Sequence, residues 1–159
     1  MRKQVEKYSD PLKCFMEMNL NNMDFFKSLP KLVKNDFIFS MKQCSFDKGE
    51  FIYRNEECST EMFLIQSGCV EIQQKQDKGV LFVIEKLFRG SIINHNSFLM
   101  NDDMDTDAYC KTNVHCYSMS LDTLKFLRNK YDILDNELDK HERKLVDVNK
   151  REPAIDYII

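Results

Sequence analysis

The chain has no tryptophan, three prolines and only four glycines in 159 residues. Glycine this scarce stands where the backbone requires it, and Gly49, Gly68, Gly79 and Gly90 punctuate the middle of the chain. No segment approaches about 18 apolar residues, which excludes a membrane-spanning helix within this sequence. Basic residues number 23 against 26 acidic, with a formal net charge of −3 and no dense basic run. The electrostatic footprint that a nucleic-acid backbone calls for is missing, so no nucleic-acid partner is expected. G-x-S-x-G and P-loop motifs are also missing, and His95, His115 and His141 lie far apart without an H-x-H or H-x-x-x-H pair. No catalytic residue, metal or enzymatic activity is therefore expected. The six cysteines, at positions 14, 44, 58, 69, 110 and 116, never form C-x-x-C, and the N-terminus MRKQVEKYSDPLK has no apolar stretch to act as a signal peptide. Reduced thiols and a cytoplasmic chain are the expectation.

What is present divides by periodicity. Residues 1–41 read as a helical collar: Leu12, Phe15 and Met16, then Phe25, Phe26, Leu29, Leu32, Val33 and Phe37, recur at helical spacing, with Pro30 as a break. From residue 42 to 120 the period becomes that of strands, in Cys44 and Phe46, Phe51 and Tyr53, MFLIQSGCVEIQQK from Met62, VLFVIEKLF from Val80, Ala108–Thr112 and His115–Ser120. Gly68 and Gly79 supply turns, and the run from Ser91 to Asp107 is rich in Asn and Asp, which favour loops. Ser120 suits the N-cap of a helix in LDTLKFLRNKY. Leu134, Leu138, His141, Leu145 and Val148 then form a single stripe on a last helix, so that residues 121–150 read as C-terminal helices and 151–159 as a tail. The fold class expected is α+β: an antiparallel β jelly-roll barrel flanked by N-terminal helices and two C-terminal helices. Strands and glycine turns alone leave open other jelly rolls, metal-binding cupins among them.

At GEFIYRNEECSTEMFLIQSGCVEI, Gly49 to Ile72, the sequence resembles the cyclic-nucleotide-binding domain family, of the cation-channel or kinase-regulatory-subunit type. Family members read G-E-x-I-x-R, a Gly-Asp turn and E-M-Y-F-I-x-x-G-x-V-E-V; here stand Gly49, Glu50, Ile52 and Arg54, then Glu61, Met62, Phe63, Ile65, Gly68, Val70, Glu71 and Ile72. Glu56-Glu57 takes the place of the Gly-Asp turn. The similarity runs from about Met23 to Leu145, including FFKSLPKLVKNDF and SMSLDTLKFL.

The resemblance implies a cyclic-phosphate cassette at residues 90–107, similar to G-D-x-F-G-E followed by an arginine and a small residue. Such a cassette neutralises phosphate with helix N-terminal amides and an Arg fork, while the Glu accepts from the ribose. In this chain it falls on Gly90, Ile93, Asn94, His95, Met104, Asp105 and Thr106: Asn94 replaces the close-approach glycine, His95 the ribose carboxylate and Met104 the arginine. No lysine or arginine occurs between Arg89 and Lys111. The resemblance also implies that the last helix acts as a lid, through Leu134, Leu138, His141 and Leu145. No cofactor is expected, binding of cAMP or cGMP being disfavoured.

The expected function is thus a non-catalytic regulatory or interaction module, similar to the cytosolic domain of a voltage-gated or cyclic-nucleotide-regulated cation channel. Its partners would be protein, the parent channel's subunits among them, without membrane insertion of its own; its place would be the cytosolic face of a membrane or a larger assembly. The resemblance also implies, from some channel relatives that lack the arginine and fill the pocket with their own C-terminal residues, an interest in Ala154–Ile159. The alternatives are a small structural subunit of a cytoskeletal or membrane assembly and a genuine cAMP or cGMP sensor.

Overall fold

The computed structural model describes residues 9–57, 60–76, 79–94, 98–99 and 104–156, with side chains of the last helix described to residue 146. Three helices come first: α1 (Asp10–Leu20), α2 (Asp24–Lys27) and α3 (Lys31–Ser40). Ser9 caps α1, its hydroxyl accepting from the Leu12 amide at 3.4 Å, and Pro11 sits in the first turn, where its missing N–H leaves no bond unmade. Pro30 directly precedes α3 and makes the break expected of it.

The strands are β1 (Lys42–Phe46), β2 (Phe51–Tyr53), β3 (Glu61–Ser67), β4 (Val70–Lys75), β5 (Leu81–Leu87), β6 (Ile92–Ile93), β7 (Asp107–Cys110) and β8 (Val114–Ser120). They pair antiparallel into two four-stranded sheets, ordered β1-β8-β3-β6 and β2-β7-β4-β5. This is the jelly roll with helices at both ends that the sequence predicts. Helix α4 (Leu121–Lys130) starts at the Ser120 N-cap, whose hydroxyl accepts from the Thr123 amide at 3.2 Å. Helix α5 (Asp132–Asp156) follows and continues through residues expected to be tail, carried by the strong helix formers Lys150, Arg151 and Glu152.

Two apolar layers hold these parts together, and β3 belongs to both. Its Phe63 and Ile65 join Val70, Ile72, Ile93, Ala108, Cys110, Val114 and Cys116 between the sheets. Its Met62 and Leu64 point the other way, with Tyr117 and Met119 of β8, into a helical layer of Phe25, Phe26, Phe37, Leu124, Leu127, Leu134 and Leu138. Burial on both faces explains why β3 carries the continuous apolar run Met62, Phe63, Leu64 and Ile65, whereas β8, also buried on both faces, interleaves His115 and Ser118 with its apolar residues. The N-terminal and C-terminal helices therefore share one core, lying against a single sheet.

Gly68 turns β3 into β4 with φ of 103°, and an added Cβ there would collide with the backbone oxygen of Asn113 and approach the Val114 Cα to 3.0 Å. Only glycine satisfies both the left-handed backbone and the close approach.

Candidate functional site

The segment expected to hold phosphate begins at the turn after β5. Gly90 donates its amide to the Ile65 carbonyl at 2.8 Å, and Ser91 accepts from the Ile65 amide at 2.9 Å, extending the β3–β6 pairing. The missing Cβ of Gly90 faces α1: a side chain there would come within 2.6 Å of the Asn19 Oδ1. Arg89 strengthens the same attachment, with its guanidinium 4.0 Å from the Phe15 ring centroid and a 2.8 Å hydrogen bond to the Gln66 carbonyl. Gly90, expected as a ligand-binding position, faces Asn19 of α1 and is not among the residues lining the groove described next.

Asn94 ends β6 with φ of 72°, so the left-handed backbone of the family glycine is kept by a residue type that tolerates it. Its Nδ2 donates to the Glu61 carbonyl at 2.8 Å, and its own carbonyl accepts from the Phe98 amide at 3.0 Å. Met104 is buried, and its backbone is paired on both sides with the turn after β2: its carbonyl accepts from Glu56 at 2.6 Å, and its amide donates to Glu57 at 2.9 Å. That turn is the one where Glu56-Glu57 replaces Gly-Asp, and Glu56 is held at φ of 73°. Glu57 closes it by accepting the Arg54 amide on its carboxylate.

Between these pieces lies a groove of about 240 Å³, lined by Ile93, Asn94, Met104, Asp105 and Thr106 of the expected set and by Tyr53, Ile72, Glu85, Leu87 and Ile92. The volume is below the range of about 300–1,000 Å³ usual for pockets that enclose a small molecule. Its charged lining consists of Glu85 and Asp105, with no lysine, arginine or histidine among these residues. Tyr53 reports the sign of the field. Burial raises its phenol pKa first, and the carboxylates of Asp105, Asp107 and Glu85 raise it further, against a 3.3 Å hydrogen bond with the Thr106 hydroxyl. A second depression of about 310 Å³ shares Tyr53 and Asn94 and adds Glu57 and Glu61. Of the acidic run, Asp105 is exposed at the side of the groove, while Asp107, the first residue of β7, accepts from the Asn55 amide at 2.7 Å.

His95 lies outside the described residues. Tyr53 and Glu85 were missed from sequence; the one available signal was Glu85 interrupting the apolar run of β5, and it points to no particular chemistry. Among the described residues no group of histidine, cysteine and carboxylate side chains could hold a metal ion, and no helix is long and apolar enough to cross a membrane.

The helix expected as a lid, α5, packs in the helical layer. Leu134 and Leu138 are buried in the helical layer, His141 packs edge-on against Phe25 of α2 with ring centroids 5.6 Å apart, and Leu145 is half-buried. Among the described residues, no side chain of α5 lines the groove. Leu134, Leu138 and His141 of the stripe are satisfied in the helical layer that includes the N-terminal helices. Arg128 of α4 fixes α5 in this position, with Nε 2.6 Å from Asp135, Nη2 2.8 Å from Asp139 and Nη1 2.8 Å from Glu142. Burial works against the Arg128 charge, but the Asp135 and Glu142 carboxylates outweigh it and raise its pKa. Val148 and residues 157–159 lie outside what is described.

Residues 43–131 match the family described as cyclic nucleotide-binding domain, and the chain belongs to that family. In fold it resembles the N-terminal domain of a transcriptional regulator from Streptomyces coelicolor A3(2), with a TM-score of 0.73 at 14% identity over 83% of this chain and 95% of that one. It also resembles the regulatory domain of Toxoplasma gondii PKA with cAMP, with a TM-score of 0.67 at 18% identity over 76% of this chain and 46% of that one. A third likeness is to the regulatory subunit of a cAMP-independent protein kinase A from Trypanosoma brucei, with a TM-score of 0.59 at 20% identity over 80% and 49%. A triple variant of that subunit, one substitution being threonine to arginine, is bound to cAMP in its A site. The chain spans about half the length of these kinase chains. No curated protein matches it.

Proposed function

We propose that this chain is a non-catalytic regulatory and interaction module of the cyclic-nucleotide-binding family that has lost tight binding of cAMP and cGMP. The observation that carries this reading is the groove lining, in which Glu85 and Asp105 are the charged groups and Met104 stands where the resemblance calls for arginine. Removing one partner of a buried, hydrogen-bonded charge pair costs about 2–5 kcal/mol, which corresponds to a loss of tens- to thousands-fold in affinity. Two carboxylates facing the same space add repulsion to a cyclic phosphate. The cAMP-independent kinase subunit of Trypanosoma brucei lends support as a protein of similar fold that works without the nucleotide.

In this reading the module sits on the cytosolic side of a voltage-gated or cyclic-nucleotide-regulated cation channel, with the parent channel's subunits as its partners. The core shared by the N- and C-terminal helices supports a module in which the two ends are mechanically connected. Calorimetric titration with cAMP and with cGMP tests the site: binding no tighter than millimolar is expected, and micromolar affinity would overturn the reading. Fractionation of the native protein tests the setting: it is expected with membranes, and recovery wholly in the soluble fraction would remove the channel.

A further inference from the structure

Two thiols that the groove does not use face each other across the first sheet. Cys44 of β1 and Cys116 of β8 are direct partners in the antiparallel register, and their sulfurs are 3.1 Å apart. Directly opposed residues of an antiparallel ladder have Cα atoms about 4.5–5.5 Å apart. That falls inside the window of about 4.4–6.8 Å in which a disulfide closes, and the sulfurs need to approach by only about 1 Å more. The other described thiols have no such partner in register: Cys14 is exposed on α1, Cys69 lies at the β3–β4 turn, and Cys110, buried in the same layer as Cys116, stands on β7 of the opposite sheet.

The pair is asymmetric in access and acidity. Cys44 is half-buried, whereas Cys116 is buried in the layer between the sheets. The hydrogen bond from Cys116 lowers the Cys44 thiol pKa, and a further one from Ser118 helps, against burial; the same bond raises that of Cys116. Cys110, also buried, is pushed up to about 11 by desolvation and then by Glu50, and stays a thiol.

We propose that Cys44 and Cys116 form an oxidisable dithiol, a modification site that takes a hydroperoxide as its co-reactant and closes to a cross-strand disulfide. The Cys44 thiolate attacks one oxygen of hydrogen peroxide, the O–O bond breaks, and the departing hydroxide leaves as water with the proton given up by Cys44. Cys44 is then a sulfenic acid. The Cys116 sulfur attacks the Cys44 sulfur, the S–O bond breaks, and the leaving hydroxide takes the Cys116 proton as a second water. Two thiols are oxidised by two electrons and one peroxide is reduced to two waters. The link would tie β1, which enters from α3, to β8, which runs into α4, and so fasten the ladder on which both helical ends converge.

The experiment uses the full reduced chain, treated with stoichiometric hydrogen peroxide, then alkylated under denaturing conditions and mapped by peptide mass spectrometry. The expected result is a loss of two hydrogens and of two alkylation sites, in a linked peptide pair containing Cys44 and Cys116, reversed by dithiothreitol. Phenylarsine oxide, which bridges close dithiols, is expected to bind one to one and to block the oxidation. Cys44→Ser is expected to abolish both effects; it changes a half-buried position, so the fold survives it. Cys69→Ser is expected to change neither. A linked pair joining other cysteines, oxidation of Cys44 to a sulfinic acid without a link, or arsenical binding that persists in Cys44→Ser would each overturn the proposal.

Discussion

The amide of Glu56 donates to the carbonyl of Met104 at 2.6 Å, joining the turn after β2 to the residue that stands in place of the cassette arginine. Glu56 makes this bond at φ of 73°, a conformation that disfavours residues with a Cβ by roughly 1–2 kcal/mol. Glu56→Gly is therefore expected to raise stability by about 0.5–1 kcal/mol, after allowance for the extra freedom glycine gives the unfolded chain. Chemical denaturation of the two proteins side by side measures it; a lowered midpoint would mean that the glutamate side chain contributes more than its backbone strain removes.

Met104→Arg combined with His95→Glu is expected to raise affinity for cAMP at least about tenfold, a gain of about 1.4 kcal/mol. The backbone of Met104 stays paired with Glu56 and Glu57 whatever its side chain, so the new guanidinium enters the groove without moving the turn. Calorimetry reads the change directly. If affinity does not move, the arginine position lies elsewhere in the loop.

Gly68→Val is expected to destabilise the protein by at least about 2 kcal/mol, because it combines φ of 103° with a collision against the Asn113 carbonyl and the neighbouring strand. A thermal midpoint equal to that of the unsubstituted chain would contradict the tight β3–β4 turn.

The barrel was legible from residues because its signals are local. Gly68 must turn, Ser120 must cap, and Pro30 must interrupt, whatever surrounds them. The two-sided burial of β3 was half legible: its run Met62–Ile65 announces it, but β8 is buried on both faces with an interleaved sequence, and β5 carries a similar apolar run yet stays exposed at Phe82, Val83 and Ile84 at the edge of its sheet. The site was less legible. Alignment brought Ile93, Asn94, Met104, Asp105 and Thr106 to one groove, yet it could not reveal that Tyr53 and Glu85 complete it, because that depends on how the two sheets pack. The surroundings of Gly90 were hidden for a similar reason: a glycine's missing side chain is visible in sequence, and what it makes room for, Asn19 of α1, is not. The periodicity of Leu134, Leu138 and His141 on α5 was visible in sequence, while the neighbours they pack on, Phe25 of α2 among them, depend on how distant helices come together.

Leu138→Asp is expected to loosen α5 while leaving the barrel folded, since Leu138 is fully buried in the helical layer and not between the sheets. Burying an unpaired carboxylate is unfavourable enough that the helix should detach rather than accommodate it. Hydrogen exchange is expected to show lost protection over residues 132–146 with Phe63 and Ile65 of β3 unchanged. Uniform loss of protection would mean that helices and barrel form one cooperative unit.

The same helix predicts a pH dependence through His141. Its Nε2 has no hydrogen-bond partner among the described residues and lies beside Phe25, and desolvation lowers its pKa from the ordinary 6.5. The Asp24 and Glu142 carboxylates oppose that shift, and Lys144 adds to it. The unfolded chain therefore takes up this proton at higher pH than the folded one. The stability contributed by neutral His141 is complete above the unfolded value of 6.5 and is lost as pH falls through the depressed folded value. Asp36 cannot produce this effect: burial raises its pKa, but hydrogen bonds from Lys130 and Tyr131 outweigh it and hold it below 3.8, in a more acidic window. Urea midpoints measured from about pH 8 to about pH 5 are expected to fall in the unsubstituted protein and to fall less in His141→Met. Parallel profiles for the two proteins would place the titrating group elsewhere and remove His141 from the docking of α5.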